Sequence, residues 1–132
     1  MKRILCKIDK YFTIELRNVR ETYGHDDSTP FNADIYAYIG GKEKATYVGY
    51  AYNDGWGGES TITCENNEVQ PILQGVSNKI RKMVVPYTYR NTTEYLPASL
   101  DFLIDLMVES CLYKGMTEYP FKENFIPKQK CA

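Results

Sequence analysis

The fold is decided by residues 31–53, which read FNADIYAYIGGKEKATYVGYAYN. Apolar and polar side chains alternate from Phe31 to Ile39, which is the period of a strand with one buried face. Gly40, Gly41 and Lys42 break this alternation, and residues 44–53 then run back with alternating tyrosines. The stretch therefore predicts a β-hairpin with a glycine-rich turn.

Further strands are predicted on both sides of this hairpin. Residues 11–19 alternate in the same way, and Ser60 to Cys64 forms a short apolar and β-branched run. Residues 4–8 are either an earlier strand or a disordered lead-in. Because the connections are short, neighbouring strands are expected to pair antiparallel. Residues 1–65 are thus predicted to form an antiparallel sheet of about four strands.

The period changes to that of a helix after Glu65. The first helix is marked by Val69, Ile72, Leu73, Val76, Ile80 and Met83, and the second by Leu100, Leu103, Ile104, Met107, Val108, Cys111 and Leu112. Pro86 is expected to end the first helix, residues 87–96 to form a polar loop, and Gly115 to end the second helix. The sequence predicts one α+β domain over residues 1–132, with a sheet in 1–65, two helices on one sheet face in 66–116, and an extended tail in 117–132.

Composition narrows the class of protein. The chain has 132 residues, 43% of them hydrophobic and 25% charged, with a formal net charge of −1. This composition is globular, and it lacks the basic excess of proteins that bind duplex DNA non-specifically. The N-terminus has no apolar signal segment, no stretch is apolar enough to span a membrane, and the four cysteines form no CxxC pair. A location in the bacterial cytoplasm, with free thiols, is expected.

Catalytic motifs are not found in the sequence. His25 is the only histidine, and the string His25-Asp26-Asp27-Ser28 is typical of a solvated turn. A metal site or an acid–base pair would need several such groups to converge. The chain is therefore predicted not to be an enzyme and to hold no cofactor or metal, although a hydrolase that uses only carboxylates stays open.

The most distinctive string is Asp54-Gly55-Trp56-Gly57-Gly58. Asp-Gly is a strong hairpin signal, so a tight turn with a bulge is the favoured interpretation. The alternative is a nest of backbone N–H groups that binds an anion, formed by Asp54, Gly55, Gly57 and Gly58. Trp56 is either a cover for the core or an exposed anchor.

Tyrosine is abundant, with 12 residues in the chain. If the hairpin keeps an even register, Tyr36, Tyr38, Tyr50 and Tyr52 lie on the sheet face opposite Phe31. Tyrosines stabilise strands through cross-strand pairs, but they are also enriched in binding surfaces. The four tyrosines and Trp56 are therefore candidates for a partner-binding face, with a structural layer or a homodimer seam as alternatives.

Residues 31–58 resemble a hairpin found in small, uncharacterised proteins of bacteriophages and mobile elements, notably of gut Bacteroidetes. Those proteins read roughly F-x-A-x-(I/L)-Y, then G-K, then G-x-A-x-N-D-G-x-G-G, against Phe31 to Tyr36, Gly41-Lys42 and Gly49 to Gly58 here. The turn after Ile39 is longer in this chain. The resemblance implies a phage-like protein that acts inside a bacterium, where such proteins commonly block host proteins, including defence nucleases.

Three functions are compatible with the sequence. The leading hypothesis is a non-catalytic protein-binding module, encoded by a phage and inhibiting a bacterial defence system such as CRISPR. The second is a sponge that holds a nucleotide or another small molecule with the glycine-rich turn. The third is a small hydrolase.

Overall fold

The computed structural model describes residues 2–41 and 43–128. The predicted α+β class is confirmed. The elements are, in chain order, β1 (Ile4–Lys7), β2 (Phe12–Glu21), β3 (Phe31–Ile39), β4 (Thr46–Asn53), β5 (Thr61–Thr63), α1 (Gln70–Arg81), β6 (Met83–Tyr89), β7 (Thr92–Pro97), α2 (Leu100–Lys114), β8 (Glu118–Tyr119), α3 (Phe121–Asn124) and β9 (Ile126–Pro127).

The strands form two sheets rather than one. The larger has six strands in the order β5-β4-β3-β2-β1-β8, and the smaller has three in the order β7-β6-β9. Strands β1 to β5 pair antiparallel with their sequence neighbours, whereas β8 joins β1 in parallel. The predicted sheet of about four antiparallel strands is therefore too small, because the sequence pattern did not show β8 and left β1 undecided.

The core lies between the inner face of the larger sheet and the helices. Leu103, Ile104, Met107 and Val108 of α2 have no exposed surface and share one apolar cluster with Phe31 and Ile35. Helix α2 lies nearest to β2 and β1. It begins at Ser99, whose Oγ accepts a hydrogen bond from the Phe102 amide at 3.3 Å, and it ends at Gly115 with φ of 64°. The predicted end at Gly115 is confirmed.

The segment between the two long helices differs from the prediction. Helix α1 ends at Arg81, and residues 87–96 form most of the β6–β7 hairpin instead of a polar loop. Arg90 and Asn91 have φ of 51° and 65°, the backbone of a two-residue turn that matches the twist of a hairpin. Pro86 does not end a helix, because it lies within β6 opposite Tyr95.

The segment after Gly115 is not an extended tail. It contains β8, α3 and β9, and Phe121 and Phe125 are buried with their rings stacked at a centroid distance of 4.7 Å. Residues 129–132, including Cys131, lie outside the described residues. Within residues 2–41 and 43–128, Cys6, Cys64 and Cys111 are free thiols, as predicted. None of the helices described has both the length and the apolar character needed to cross a membrane.

Candidate interaction face

The outer face of the larger sheet carries a cluster of tyrosines. The inner-face residues Phe31, Ala33 and Ile35 are buried, and the side chains that alternate with them point away from the helices. The structure places all four predicted tyrosines of β3 and β4 on this outer face, each half-buried, together with one that sequence reasoning missed. This tyrosine face consists of Tyr36, Tyr38, Tyr47, Tyr50 and Tyr52.

Tyr47 joins the face because of a β-bulge in β4. Ile35 pairs with Gly49 and Tyr36 pairs with Tyr47, so Val48 is an extra residue that turns inward and is buried. A Cβ on Gly49 would lie 2.3 Å from the Thr63 carbonyl oxygen of β5, so only glycine fits there. A glycine inside a strand pattern is a bulge signal, and it was the one sign in the sequence that Tyr47 and Tyr50 share a face.

A buried carboxylate on the neighbouring strand holds part of this face in place. Glu15 of β2 is 2% exposed, although it lies on the outer face. The Arg17 Nε donates to its Oε1 at 2.6 Å, and the Tyr38 hydroxyl donates to the same oxygen at 3.2 Å. Hydrogen bonding to Glu15 raises the pKa of Arg17 above its usual range. Glu15 thus fixes one cation and one tyrosine at the centre of the sheet.

The rings also order one another. The Arg17 guanidinium lies 3.9 Å from the centroid of the Tyr36 ring, within the range of a cation–π interaction. Tyr36 meets Tyr47 edge to face at 5.4 Å between centroids, and Tyr50 and Tyr52 are stacked at 6.3 Å. These contacts hold the tyrosines in defined positions while part of each ring stays accessible.

Acidic groups lie beside the tyrosines of β3 and β4. Asp34 lies opposite Tyr50 in the register, and its Oδ2 accepts a hydrogen bond from the Asn18 side-chain amide at 2.7 Å. Burial, followed by the charges of Asp34 and Glu65, raises the pKa of Tyr47. The Tyr47 hydroxyl therefore stays protonated at neutral pH beside negative charge.

The glycine-rich turn uses its backbone donors internally. The Gly55 amide donates to the Asn53 Oδ1 at 2.7 Å, and the Gly57 amide donates to the Ser28 Oγ at 3.1 Å. Gly55 has φ of 86°, and a Cβ there would lie 1.7 Å from the His25 carbonyl oxygen. The turn is thus packed against the loop of residues 22–30, and in this conformation it does not offer these two amides to an anion.

Trp56 is exposed at the tip of this turn. It is 68% accessible, and its ring stacks on His25 at 3.5 Å between centroids with 27° between the planes. The sequence hypothesis grouped Trp56 with the tyrosines. The structure instead places it beyond the end of β4, in contact with the 22–30 loop.

The structure brings His25, Asp26 and Asp27 together on the exposed 22–30 loop, where their potential metal-ligand atoms lie within 4.8 Å of one another. His25 and Asp27 are exposed, with 3.7 Å between the His25 Nδ1 and the Asp27 Oδ2, as expected for a solvated turn. Burial, with a smaller effect of Glu118, raises the pKa of the Cys6 thiol to about 12, and burial also raises that of Cys111. A thiol is a strong nucleophile only as the thiolate, so burial disfavours the reactive form of both cysteines.

A polar network that the sequence did not reveal joins α2 to the end of β4. The Asn53 side-chain amide donates to the Ser60 Oγ at 3.2 Å, and the Ser60 hydroxyl donates to Asp105 on α2. Burial, together with the negative charges of Asp101, Glu109 and Glu59, raises the pKa of Asp105 to about 6 against the effect of the Ser60 hydrogen bond. The network fixes the base of the Trp56 turn.

Among known proteins, no family model, no curated sequence and no solved structure matches this chain. The resemblance of residues 31–58 to phage and mobile-element proteins therefore stays a prediction.

Proposed function

We propose that this chain is a non-catalytic protein-binding module whose contact surface is the tyrosine face. The observation that carries the proposal is the set of five partly accessible tyrosines on one side of a sheet whose other side is packed on helices. Tyrosine supplies large, rigid and amphipathic contact area at a low cost in conformational entropy, and it is enriched in protein interfaces. The contacts between the rings keep that area preorganised.

The charges of the face favour a protein over a nucleic acid. Aromatic sheet surfaces also bind single strands, but they then combine stacking with a positively charged groove. Here Arg17 is engaged by Glu15, and Asp34 and Glu65 place negative charge beside Tyr47. Arg3 also lies 3.9 Å from Glu15, so both arginines near the face are paired with this carboxylate rather than arranged as a groove for phosphates. A partner protein that places lysine, arginine or apolar side chains on the rings and beside Asp34 would be complementary to the face.

The sponge is the weaker alternative. An anion-binding nest needs backbone N–H groups that point to a ligand. The Gly55 and Gly57 amides are donated to Asn53 and Ser28, so a bound phosphate would have to displace two internal hydrogen bonds. Binding of a partner to the tyrosine face would not break these two hydrogen bonds.

The biological setting of the proposal comes from the resemblance of residues 31–58. A small phage-encoded binder acting in the bacterial cytoplasm has host proteins as its targets, and we extend the proposal to a host defence protein such as a CRISPR nuclease. The test is phage infection of a CRISPR-immune host that expresses the chain. Wild type should restore plaque formation, a Tyr50→Ala variant should not, and an inactive wild type would contradict this extension.

The binding face itself is tested by comparing two tyrosines. Tyr50→Ala removes a ring from the face, and Tyr23→Ala removes a fully exposed ring from the 22–30 loop. Truncation of an interface anchor costs about 2 kcal/mol or more of binding, which is roughly thirtyfold. In quantitative affinity purification from host cells, Tyr50→Ala should lose the enriched partner protein, and Tyr23→Ala should keep it.

Thermal melts and a sizing column complete this experiment. Tyr36→Ala and Tyr50→Ala should lower the stability by only about 1 kcal/mol, which is what the lost ring contacts contribute, and should keep the mass of the free chain. A collapse of the melt would return the tyrosines to a structural role, and a halved mass would identify a homodimer seam. Native mass spectrometry that finds bound nucleotide would favour the sponge.

A further inference from the structure

One of the four sheet edges differs from the others in length. Strand β5 has three residues, and β8 and β9 have two each, whereas β7 has six. Natural proteins keep exposed edge strands short or cover them, because unpaired backbone groups are a template for another strand. Within residues 2–41 and 43–128, β7 pairs only with β6. Its outer edge is therefore the longest open template of the two sheets.

The hairpin register shows which backbone groups this edge presents. Pro86 pairs with Tyr95, and proline has no N–H, so this is a pair without mutual hydrogen bonds. The two-residue turn gives the same result. Tyr89 and Thr92 close it as a hydrogen-bonded pair, and because hydrogen-bonded and non-hydrogen-bonded pairs alternate, the pair of Pro86 and Tyr95 is again one without mutual hydrogen bonds. By alternation, the N–H and C=O groups of Thr93 and Tyr95 point away from β6.

The opposite edge of the hairpin is better protected. Strand β9 covers β6 at Met83 and Val84, and the next outward position is Pro86, which cannot donate. On β7 the residues from Thr92 to Tyr95 are all exposed, so neither face of the strand is covered there. The outer edge of β6 is thus covered at Val84, lacks a donor at Pro86 and leaves only Thr88 outward and uncovered, whereas β7 presents both Thr93 and Tyr95.

We infer that the outer edge of β7 accepts an extended strand of a partner protein by β-augmentation, independently of the tyrosine face. The backbone groups of Thr93 and Tyr95 supply main-chain hydrogen bonds, which give affinity to an added strand. Glu94 is the only charged residue of β7 and is exposed. The added strand is therefore expected to carry lysine or arginine beside Glu94, since opposite charges on neighbouring strands stabilise a sheet.

A second copy of this chain fits the edge less well. If β7 pairs antiparallel with β7 of a second copy about a two-fold axis at Glu94, the outward backbone groups of Thr93 in one copy bond to those of Tyr95 in the other. This pairing also sets the two Glu94 side chains directly opposite each other, and like charges in that position destabilise a sheet. An axis at Tyr95 avoids this and instead brings Pro97 opposite Thr93, where proline cannot donate. The edge is therefore matched to a different polypeptide.

The experiment selects a displayed library of random 12-residue peptides on the full-length chain. Enriched peptides are then measured on two proline variants, Thr93→Pro and Thr88→Pro. These residues face each other, and the Oγ atoms share a hydrogen bond at 3.1 Å, so both variants lose the same side-chain contact. Only Thr93→Pro removes a donor from the outer edge of β7. We expect it to weaken binding at least tenfold and Thr88→Pro to leave binding unchanged.

A charge reversal keeps the test decisive even if proline disrupts the hairpin. Glu94→Lys leaves every backbone donor in place, and it should exchange the basic residue of the selected peptides for an acidic one. The inference is overturned if no peptide is enriched, if enriched peptides bind Thr93→Pro as tightly as wild type, or if Glu94→Lys selects the same peptides. A concentration-dependent dimer that Thr93→Pro abolishes would assign the edge to a second copy and overturn it as well.

Discussion

The tyrosine face and the β6–β7 hairpin are both rich in tyrosine, but they support it differently. On the face, the Tyr36 ring is covered by Arg17 at 3.9 Å, and the Tyr38 hydroxyl is bound to a buried carboxylate. On the hairpin, Tyr89 is 58% exposed, with the Arg90 guanidinium 5.2 Å from its ring. A sheet with a core beneath it fixes its outer side chains, whereas the part of the hairpin beyond Val84 has only two strands, an arrangement that is marginally stable by itself.

The difference in support implies two modes of recognition. Preorganised side chains lose little entropy on binding, so the tyrosine face is suited to a partner of fixed shape. The hairpin offers backbone groups rather than a fixed pattern of rings, so its edge is suited to an extended segment that becomes ordered when it adds to the sheet. One small domain would then hold a partner at two separate places.

The largest difference in the free energy of unfolding between substitutions in the two regions should come from a cavity made in the core beneath the tyrosine face. Leu103→Ala removes a fully buried side chain of α2 and should lower the free energy of unfolding by about 2–5 kcal/mol. Leu96→Ala in the hairpin should cost about 1 kcal/mol or less, because its side chain is only half-buried. Urea melts measure both. A loss well under 1 kcal/mol for Leu103→Ala would contradict the packing of α2 on the sheet.

The second prediction concerns the buried carboxylate of the face. Glu15→Ala removes the acceptor of the Arg17 Nε and of the Tyr38 hydroxyl, leaving only the weak 3.4 Å bond from Arg17 to the Tyr38 oxygen, and should destabilise the chain by about 1–3 kcal/mol. Glu94→Ala removes an exposed glutamate from the hairpin and should change stability by no more than about 0.5 kcal/mol. Equal effects in denaturant melts would show that Glu15 does not support the tyrosines.

A third prediction uses pH to separate the regions. Because the pKa of Asp105 is raised to about 6 in the folded chain, the native state binds a proton more tightly than the unfolded state does. This contribution to stability is complete below the ordinary carboxyl pKa and is lost as pH rises through 6. Asp105 is partly exposed, so screening reduces the effect to about 1–2 kcal/mol between pH 4 and pH 7.

The matched variant for this pH effect is Asp105→Asn. Urea melts at pH 4, 5.5 and 7 should show that wild type loses stability relative to Asp105→Asn as the pH rises. A wild-type slope that Asp105→Asn does not alter would mean that another group titrates.

The smallest expected effect is that of Tyr89→Ala. Its ring is solvent-exposed at the hairpin tip, so the substitution should change the free energy of unfolding by about 0.5 kcal/mol or less. Urea melts measure the change. A loss above 1 kcal/mol would show that the hairpin is packed, and the contrast with the face would then fail.

The sequence predicted the parts of the fold that depend on local periodicity. Strands β2 and β3 and helix α2 follow from alternation, from a continuous apolar stripe and from the glycine at its end. The same reasoning placed four tyrosines on one face. It missed Tyr47, because a bulge shifts the alternation by one residue and its only local sign is Gly49.

The hairpin and the last strands could not be predicted in this way. Pro86 looked like a helix stop, and the Arg90-Asn91 turn lacks the glycine that usually marks a two-residue hairpin. Strands β8 and β9 have two residues each, which is too short for any period, and they form only by pairing with distant segments. The Glu15 and Asp105 networks likewise depend on tertiary contacts.

The parallel pairing of β8 with β1 has a consequence for how the chain reaches this structure. Strands β1 to β5 form a meander in which every neighbour is also the next strand in sequence, so they can assemble through short loops. The parallel pair of Leu5 in β1 and Glu118 in β8, in contrast, joins two segments that lie near opposite ends of the described chain. Closing so long a loop is entropically costly and slows folding. We expect the meander to form early in folding and β8 to pair with β1 late.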